Sequence, residues 1–112
     1  MIKIKRVYEK PDPSDGYRIL VDRLWPRGMT KEKAAIDLWF KEIAPSDELR
    51  KWFHHEVSNW DQFRLKYEKE LRENQPVLDE LKAIVKKEKT VTLLYGAKDE
   101  KRNQAVVIKS LL

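Results

Sequence analysis

Residues 17–24 read YRILVDRL, and this stretch decides the fold class of the chain. Ile19, Leu20 and Val21 follow one another, so an extended backbone carries apolar side chains on both of its faces. A strand that is covered on both faces is typical of a parallel sheet with helices packed on either side. The stretch therefore predicts a central strand over residues 17–24 of an α/β protein.

Strand-like and helix-like patterns alternate on either side of this central strand. Residues 2–8 (IKIKRVY) alternate apolar and basic side chains, and residues 90–95 (TVTLLY) predict a second buried strand. Helical patterns lie between these segments and after the last one. We expect a single domain over residues 1–112, a three-layer α/β/α sandwich with a small, mostly parallel sheet. The loop after the first strand has only about eight residues, which leaves the direction of that strand open.

Capping residues mark where three of the helices begin. Thr30 and Ser46 stand immediately before helical patterns, where a hydroxyl can accept a hydrogen bond from a free backbone amide. Residues 58–61 (SNWD) are typical of a capping box that opens a helix through about residue 73. The helices of this region carry aromatic residues at helical spacing. We expect these rings to be buried in the core: Trp52, Phe53, Trp60, Phe63 and Tyr67.

Composition excludes several classes of function. The chain has no cysteine, which excludes disulfides, thiol nucleophiles and cysteine-ligated metals. His54 and His55 would project about 100° apart from a helix and could not hold one metal ion together, and no glycine-rich phosphate loop is present. We expect no metal and no cofactor. The chain shows neither a signal-peptide pattern nor an apolar run of about 18 residues, so we expect a cytoplasmic protein without a membrane partner.

Charged residues follow two of the predicted strands, at the point where each strand ends. One segment is DRLWPRG (residues 22–28) and the other is YGAKDE (residues 95–100). Ligands of open parallel sheets bind outside the carboxyl ends of the strands. If the two strands are neighbours, Arg23, Arg27 and Lys98 converge there on a phosphate or carboxylate.

Asp22 at the start of the first segment has two interpretations. It is either a general base, kept ionised by the arginines around it, or the structural partner of Arg18, Arg23 or Arg27. The first interpretation makes Asp22 the candidate catalytic residue.

Three further residues are candidates for shaping the pocket. Trp25 either stacks on a flat ligand or packs beneath its own loop. Tyr95 and Asn103 can donate hydrogen bonds into the same space, although Asn103 serves equally well as a helix cap.

The net charge of +5 favours an acidic partner. The function that fits best is binding of a phosphate-bearing or nucleotide-like small molecule, with catalysis left undefined. The alternative is a module that binds nucleic acid or another protein through its basic surface. A third interpretation is that the arginines only brace the strand ends. The oligomeric state is not indicated.

Four segments together resemble one known family. DRLWPRG, DLWFKEIAPSDELRKWF, WDQFRLKYEKEL and TLLYGAKDEKRNQA are similar to the YeaO-like branch of domain-of-unknown-function family 488, over essentially the whole chain. The resemblance implies a three-layer α/β fold and favours a strand for residues 36–40 (IDLWF), whose pattern by itself also fits a continued helix. It implies no known reaction. More distant members carry cysteine near the positions of Tyr95 and Asn103, whereas Asp22 and Arg23 match the family pattern.

Overall fold

The computed structural model describes residues 1–54 and 56–112 of the chain. They form an α/β fold whose four parallel strands stand in the order β1-β4-β2-β3. The strands are β1 (Ile2–Arg6), β2 (Tyr17–Leu20), β3 (Leu38–Trp39) and β4 (Val91–Tyr95). The α-helices are α1 (Lys31–Ala34), α2 (Asp47–Phe53), α3 (Trp60–Glu73), α4 (Gln75–Lys87) and α5 (Gln104–Ser110), and 3₁₀ turns cover Pro13–Asp15, Lys41–Ile43 and Val57–Asn59. The predicted α/β class is confirmed.

The strand predicted over residues 17–24 is central, but it is shorter than expected. β2 lies between β4 and β3 and ends at Leu20, because its neighbour β3 is only two residues long. The amide of Val21 still donates to the carbonyl of Leu94, at 3.0 Å. From Asp22 onward the chain has left the sheet, so the predicted length is wrong by four residues at its carboxyl end.

The first strand is parallel to the others, which settles its direction. β4 pairs with β1 on one edge and with β2 on the other, so that Leu93 stands opposite both Ile4 and Ile19. The chain between β1 and β2 must return along a strand of about 16 Å and step across two strand spacings, about 10 Å. The ten residues 7–16 can span up to about 33 Å, which is enough. β1 itself ends at Arg6, two residues before the predicted end.

Successive residues of the two central strands point into two different apolar cores. Ile19 and Leu93 belong to the larger core, which includes residues of α2, α3, α4 and α5. Leu20 and Leu94 belong to the smaller core, together with Ala34 of α1. Both faces of the sheet are therefore covered, in agreement with the three-layer arrangement expected from the sequence.

The caps predicted at Thr30 and Ser46 are present at the first ends of α1 and α2. The cap predicted for α3 is not. The hydroxyl of Thr30 accepts from the amide of Lys33, and that of Ser46 accepts from the amide of Leu49. The capping box predicted over residues 58–61 is wrong. The preceding 3₁₀ turn places Asn59 at the start of α3 with φ −98° and ψ 2°, and its side chain makes no capping bond.

One aromatic residue predicted for the core is exposed. In α2, Leu49 and Phe53 are buried, but Trp52 keeps 40% of its surface exposed. Adjacent positions on a helix point about 100° apart, so burial of Phe53 turns Trp52 away from the core. The ammonium of Lys66 lies 5.0 Å from the centroid of the Trp52 ring and covers it from α3.

A buried ion pair joins β2 to the elements around it. The guanidinium of Arg18 contacts the carboxylate of Asp15 at 2.5 Å and donates to the carbonyls of Ala34 and Ala35 at the end of α1. Lys5 of β1 adds a second contact to Asp15, at 3.1 Å. Arg18 thus holds α1 against the sheet. No helix within residues 1–54 and 56–112 combines the length and apolar character needed to cross a membrane.

Candidate functional site

A cavity of about 150 Å³ opens at the carboxyl ends of β2 and β4. The segment after β2 forms one side of the cavity. The second side consists of α2 and the residues that precede α2, and the third side is the connection between β4 and α5. The described residues that line this Asp22 cavity are Asp22, Arg23, Leu24, Ala44, Pro45, Arg50, Phe53, Phe63, Ala97 and Gln104. The position agrees with the strand-end location that the sequence favours for a ligand.

Two hydrogen bonds fix the carboxyl group of Asp22. The amide of Gly96 donates to Oδ2 at 2.8 Å, and the side-chain amide of Gln104 donates to Oδ1. A Cβ atom on residue 96 would lie only 2.9 Å from Oδ2, so the glycine permits this close approach. The indole of Trp39 donates to the backbone carbonyl of Asp22 at 2.8 Å and holds the segment from the other side.

Burial increases the proton affinity of the Asp22 carboxyl group. Removal from water raises its pKa from 3.8 to about 6, although the hydrogen bond from Gly96 acts in the opposite direction. None of the ion pairs among residues 1–54 and 56–112 includes Asp22. Arg18, one of its suggested partners, is engaged with Asp15 instead. Asp22 therefore changes charge close to physiological pH.

Arg23 lines the same cavity and is held mainly by backbone carbonyls. Its Nε donates to the carbonyl of Pro45 at 3.2 Å, and its Nη2 donates to that of Ala44 at 3.3 Å. The nearest carboxylate, that of Asp47, lies 3.8 Å from Nε and is 60% exposed. The positive charge of Arg23 is thus only weakly neutralised by the residues around it.

Arg50 of α2 is the functional candidate that the sequence patterns did not indicate. Arg50 lines the cavity, and its Nε is buried and has no hydrogen-bond partner within the described part of the chain. Its Nη2 reaches Asp47 at 3.4 Å. One signal could have identified it: Arg50 precedes the buried Phe53 by three residues, which places it at the edge of the inner face of α2.

The other two predicted cations lie away from this cavity. Arg27 is exposed, and its backbone carbonyl accepts a hydrogen bond from the Tyr8 hydroxyl at 3.1 Å. Lys98 is exposed in the connection between β4 and α5. The structure therefore brings Arg23 together with Arg50 around Asp22, and not with Arg27 and Lys98.

The three residues expected to shape the pocket have contacts elsewhere. Trp25 packs with the smaller core, donates to the carbonyl of Met29 at 2.8 Å and meets Trp39 edge-on at 5.4 Å between ring centroids. Tyr95 is buried in the larger core, and burial is the main cause that raises its pKa. Asn103 is fully buried and caps α5, since its Oδ1 accepts from the amide of Val106.

His54 is not among the described residues that line the cavity. His54 is exposed and ends α2 in the left-handed conformation, with φ 47°. His55 lies outside the described residues.

Comparison with known proteins places the chain in a family. All of residues 1–112 match the family model DUF488-N3i, described as the inactive DUF488-N3 subclade. The uncharacterised protein YeaO of Escherichia coli K12 is 50% identical over 111 residues, which cover 99% of this chain and 96% of YeaO. The uncharacterised protein Rv3073c of Mycobacterium tuberculosis H37Rv is 39% identical over 111 residues, covering 99% of this chain and 92% of the relative. No solved structure gives a significant match. The chain therefore belongs to the YeaO-like proteins of domain-of-unknown-function family 488, within the subclade described as inactive.

Proposed function

We propose that the protein binds a small anionic molecule in the Asp22 cavity, with Arg23 and Arg50 supplying the positive charge. The observation that carries the proposal is that Arg50 lines the cavity while its Nε is buried without an acceptor in the described part of the chain. A buried donor without a partner costs about 1–3 kcal/mol. An anion toward which the Arg50 guanidinium turns would remove that cost and would also meet the weakly neutralised charge of Arg23.

The cavity suits binding better than catalysis. Asp22 has the pKa that a general base needs near neutral pH, but it is the only carboxyl group among the described lining residues. The same lining offers no hydroxyl and no imidazole that could act as a nucleophile or second acid. The description of the matching subclade as inactive supports the same view. We therefore assign Asp22 to ligand binding, where its protonated form donates a hydrogen bond.

The size of the cavity limits what can enter it. Sites that enclose whole drug-sized ligands have volumes of about 300–1,000 Å³. A cavity of about 150 Å³ accommodates an anionic head group with a small body rather than an entire nucleotide. The head group is the part that the two guanidinium groups recognise.

The proposal is tested by titrating the protein with sulfate, phosphate and acetate at constant ionic strength. A ligand that binds only the folded state raises the melting temperature, and calorimetry gives its dissociation constant. We expect Arg50→Met and Arg23→Met each to weaken binding at least tenfold. The matched control is Arg27→Met, which removes the same charge from an exposed position in the same loop region and leaves binding unchanged. Binding that survives both cavity substitutions, or that Arg27→Met weakens equally, would show that the site lies elsewhere.

A further inference from the structure

The net charge of the groups around the Asp22 cavity can be balanced by one negative charge on a ligand. Arg23 and Arg50 contribute two positive charges, and both contact the carboxylate of Asp47, at 3.8 and 3.4 Å. The remaining positive charge is cancelled when Asp22 is ionised and is free when Asp22 carries a proton. A single negative charge on a ligand therefore balances the protonated cavity, whereas a double charge would exceed what the cavity supplies.

The rest of the cavity wall is apolar. Six of the ten described lining residues carry no polar side-chain atom: Leu24, Ala44, Pro45, Phe53, Phe63 and Ala97. The rings of Phe53 and Phe63 stack at 4.2 Å between centroids and form a continuous surface. Leu24 is 60% exposed at the edge of this surface. Such walls offer no hydrogen bonds to a sugar or a base, but they match a hydrocarbon or aromatic group.

We propose, building on the anion-binding function above, that the ligand is a small monocarboxylic acid with an apolar body. Its carboxylate lies between Arg23, Arg50 and the protonated carboxyl of Asp22. Its body packs against Phe53 and Phe63, and Leu24 closes over it. The hydrogen bond between the Asp22 carboxyl and the ligand carboxylate shares one proton between two acid groups.

This arrangement couples binding to the uptake of a proton. The charged and titratable groups near Asp22 are Arg23 on its own segment, Arg50 and Asp47 of α2, and Tyr67 and Glu70 of α3, while α5 contributes the neutral Gln104. Above pH 6 the ionised Asp22 would repel a carboxylate, so binding requires protonation first. Affinity falls as the pH rises through this range, by up to about tenfold per pH unit.

Four probes, three of which share one ring, distinguish the head group from the body. They are benzoate, phenyl phosphate, benzamide and, as the head group without a ring, acetate. A phosphate monoester has a second pKa of about 6 and is largely a dianion at pH 7. At pH 6 we expect benzoate to bind at least tenfold more tightly than acetate, and at pH 7 more tightly than phenyl phosphate by a similar factor. Benzamide, which lacks the charge, should bind at least tenfold more weakly than benzoate.

Variants separate this inference from the function it rests on. Arg50→Met should weaken benzoate binding tenfold or more, Arg27→Met should not change it, and Asp22→Asn should make it independent of pH between 6 and 8. Phenyl phosphate binding as tightly as benzoate, or acetate binding as tightly, would overturn the carboxylic-acid assignment while leaving the anion site in place. Affinity for benzoate that is unaffected by Arg23→Met and Arg50→Met would overturn both. Thermal unfolding of each variant without ligand confirms that it folds.

Discussion

Replacing Asp22 with asparagine should stabilise the protein at neutral pH and leave its stability unchanged in acid. Burial raises the pKa of Asp22 from its ordinary value of 3.8 to about 6, so the folded state binds this proton more tightly than the unfolded state. The shift of about two pH units corresponds to about 3 kcal/mol. Below pH 3.8 Asp22 is protonated in both states and costs nothing. The cost grows as the pH rises toward 6 and is complete above it, because folding must then bury the ionised carboxylate.

Asparagine keeps an oxygen that can accept the hydrogen bond from Gly96, but it cannot ionise. The stability of Asp22→Asn relative to the unaltered protein should therefore be higher at pH 8 than at pH 4 by up to ~3 kcal/mol. Urea unfolding of both proteins at pH 4, 5, 6, 7 and 8 measures this difference, and any pH-independent effect of the substitution cancels. Glu80→Gln removes a charge from an exposed position of α4 and should leave the profile nearly unchanged. A difference that is constant with pH, or larger in acid, would refute the reasoning.

Three further predictions concern contacts that support the fold and the cavity, and each is tested by urea unfolding. Arg18→Met should cost up to about 3–5 kcal/mol because it removes one of the two cations that contact the buried carboxylate of Asp15, together with the hydrogen bonds to the end of α1; a loss below about 1 kcal/mol would show that Lys5 alone balances the charge of Asp15. Asn103→Ala should cost at least about 1 kcal/mol through loss of the α5 cap, and Asn103→Ser should recover part of it. Phe53→Ala should cost about 3–5 kcal/mol, whereas the adjacent Trp52→Ala should cost far less, since Trp52 is exposed; equal losses would contradict the orientation of α2.

Much of the fold follows from local patterns in the sequence. Ile19 to Val21 required a strand with two covered faces, and Thr30 and Ser46 marked helix starts that the structure shows. These features depend on the chemistry of a few neighbouring residues. The strand order depends on β4, which comes from the far end of the chain and lies between β1 and β2. No pattern within residues 1–24 reveals that insertion. The direction of β1 was open because the loop after it is shorter than a parallel crossover usually requires.

The cavity could be predicted in part. Asp22 and Arg23 follow a buried strand directly, and the strand end fixes where both of them lie. Arg27 is only four residues further on, but the chain between Leu24 and Gly28 turns across the opposite face of the sheet, where Trp25 packs, and Arg27 is left exposed. Arg50 takes the place that Arg27 was expected to fill. Arg50 lies on α2, far from Asp22 in the sequence, and local sequence patterns do not reveal that two such distant residues line one cavity.

The chemistry of Asp22 indicates that its carboxyl group has a role beyond stabilising the fold. Asparagine could make the same number of hydrogen bonds without a charge to bury, because its oxygen accepts from Gly96 and its NH2 group faces Gln104, whose side-chain amide can turn to present its oxygen. An ionised Asp22 costs about 3 kcal/mol of stability at neutral pH and has no ion-pair partner within the described residues. The two guanidinium groups that line the same cavity form ion pairs, within the described residues, with the exposed Asp47 alone. Groups that reduce stability in this way concentrate at functional sites, where a ligand offsets the cost. In this cavity an anion that brings Asp22 to its protonated form would relieve the buried charge and would also meet the positive charges of Arg23 and Arg50.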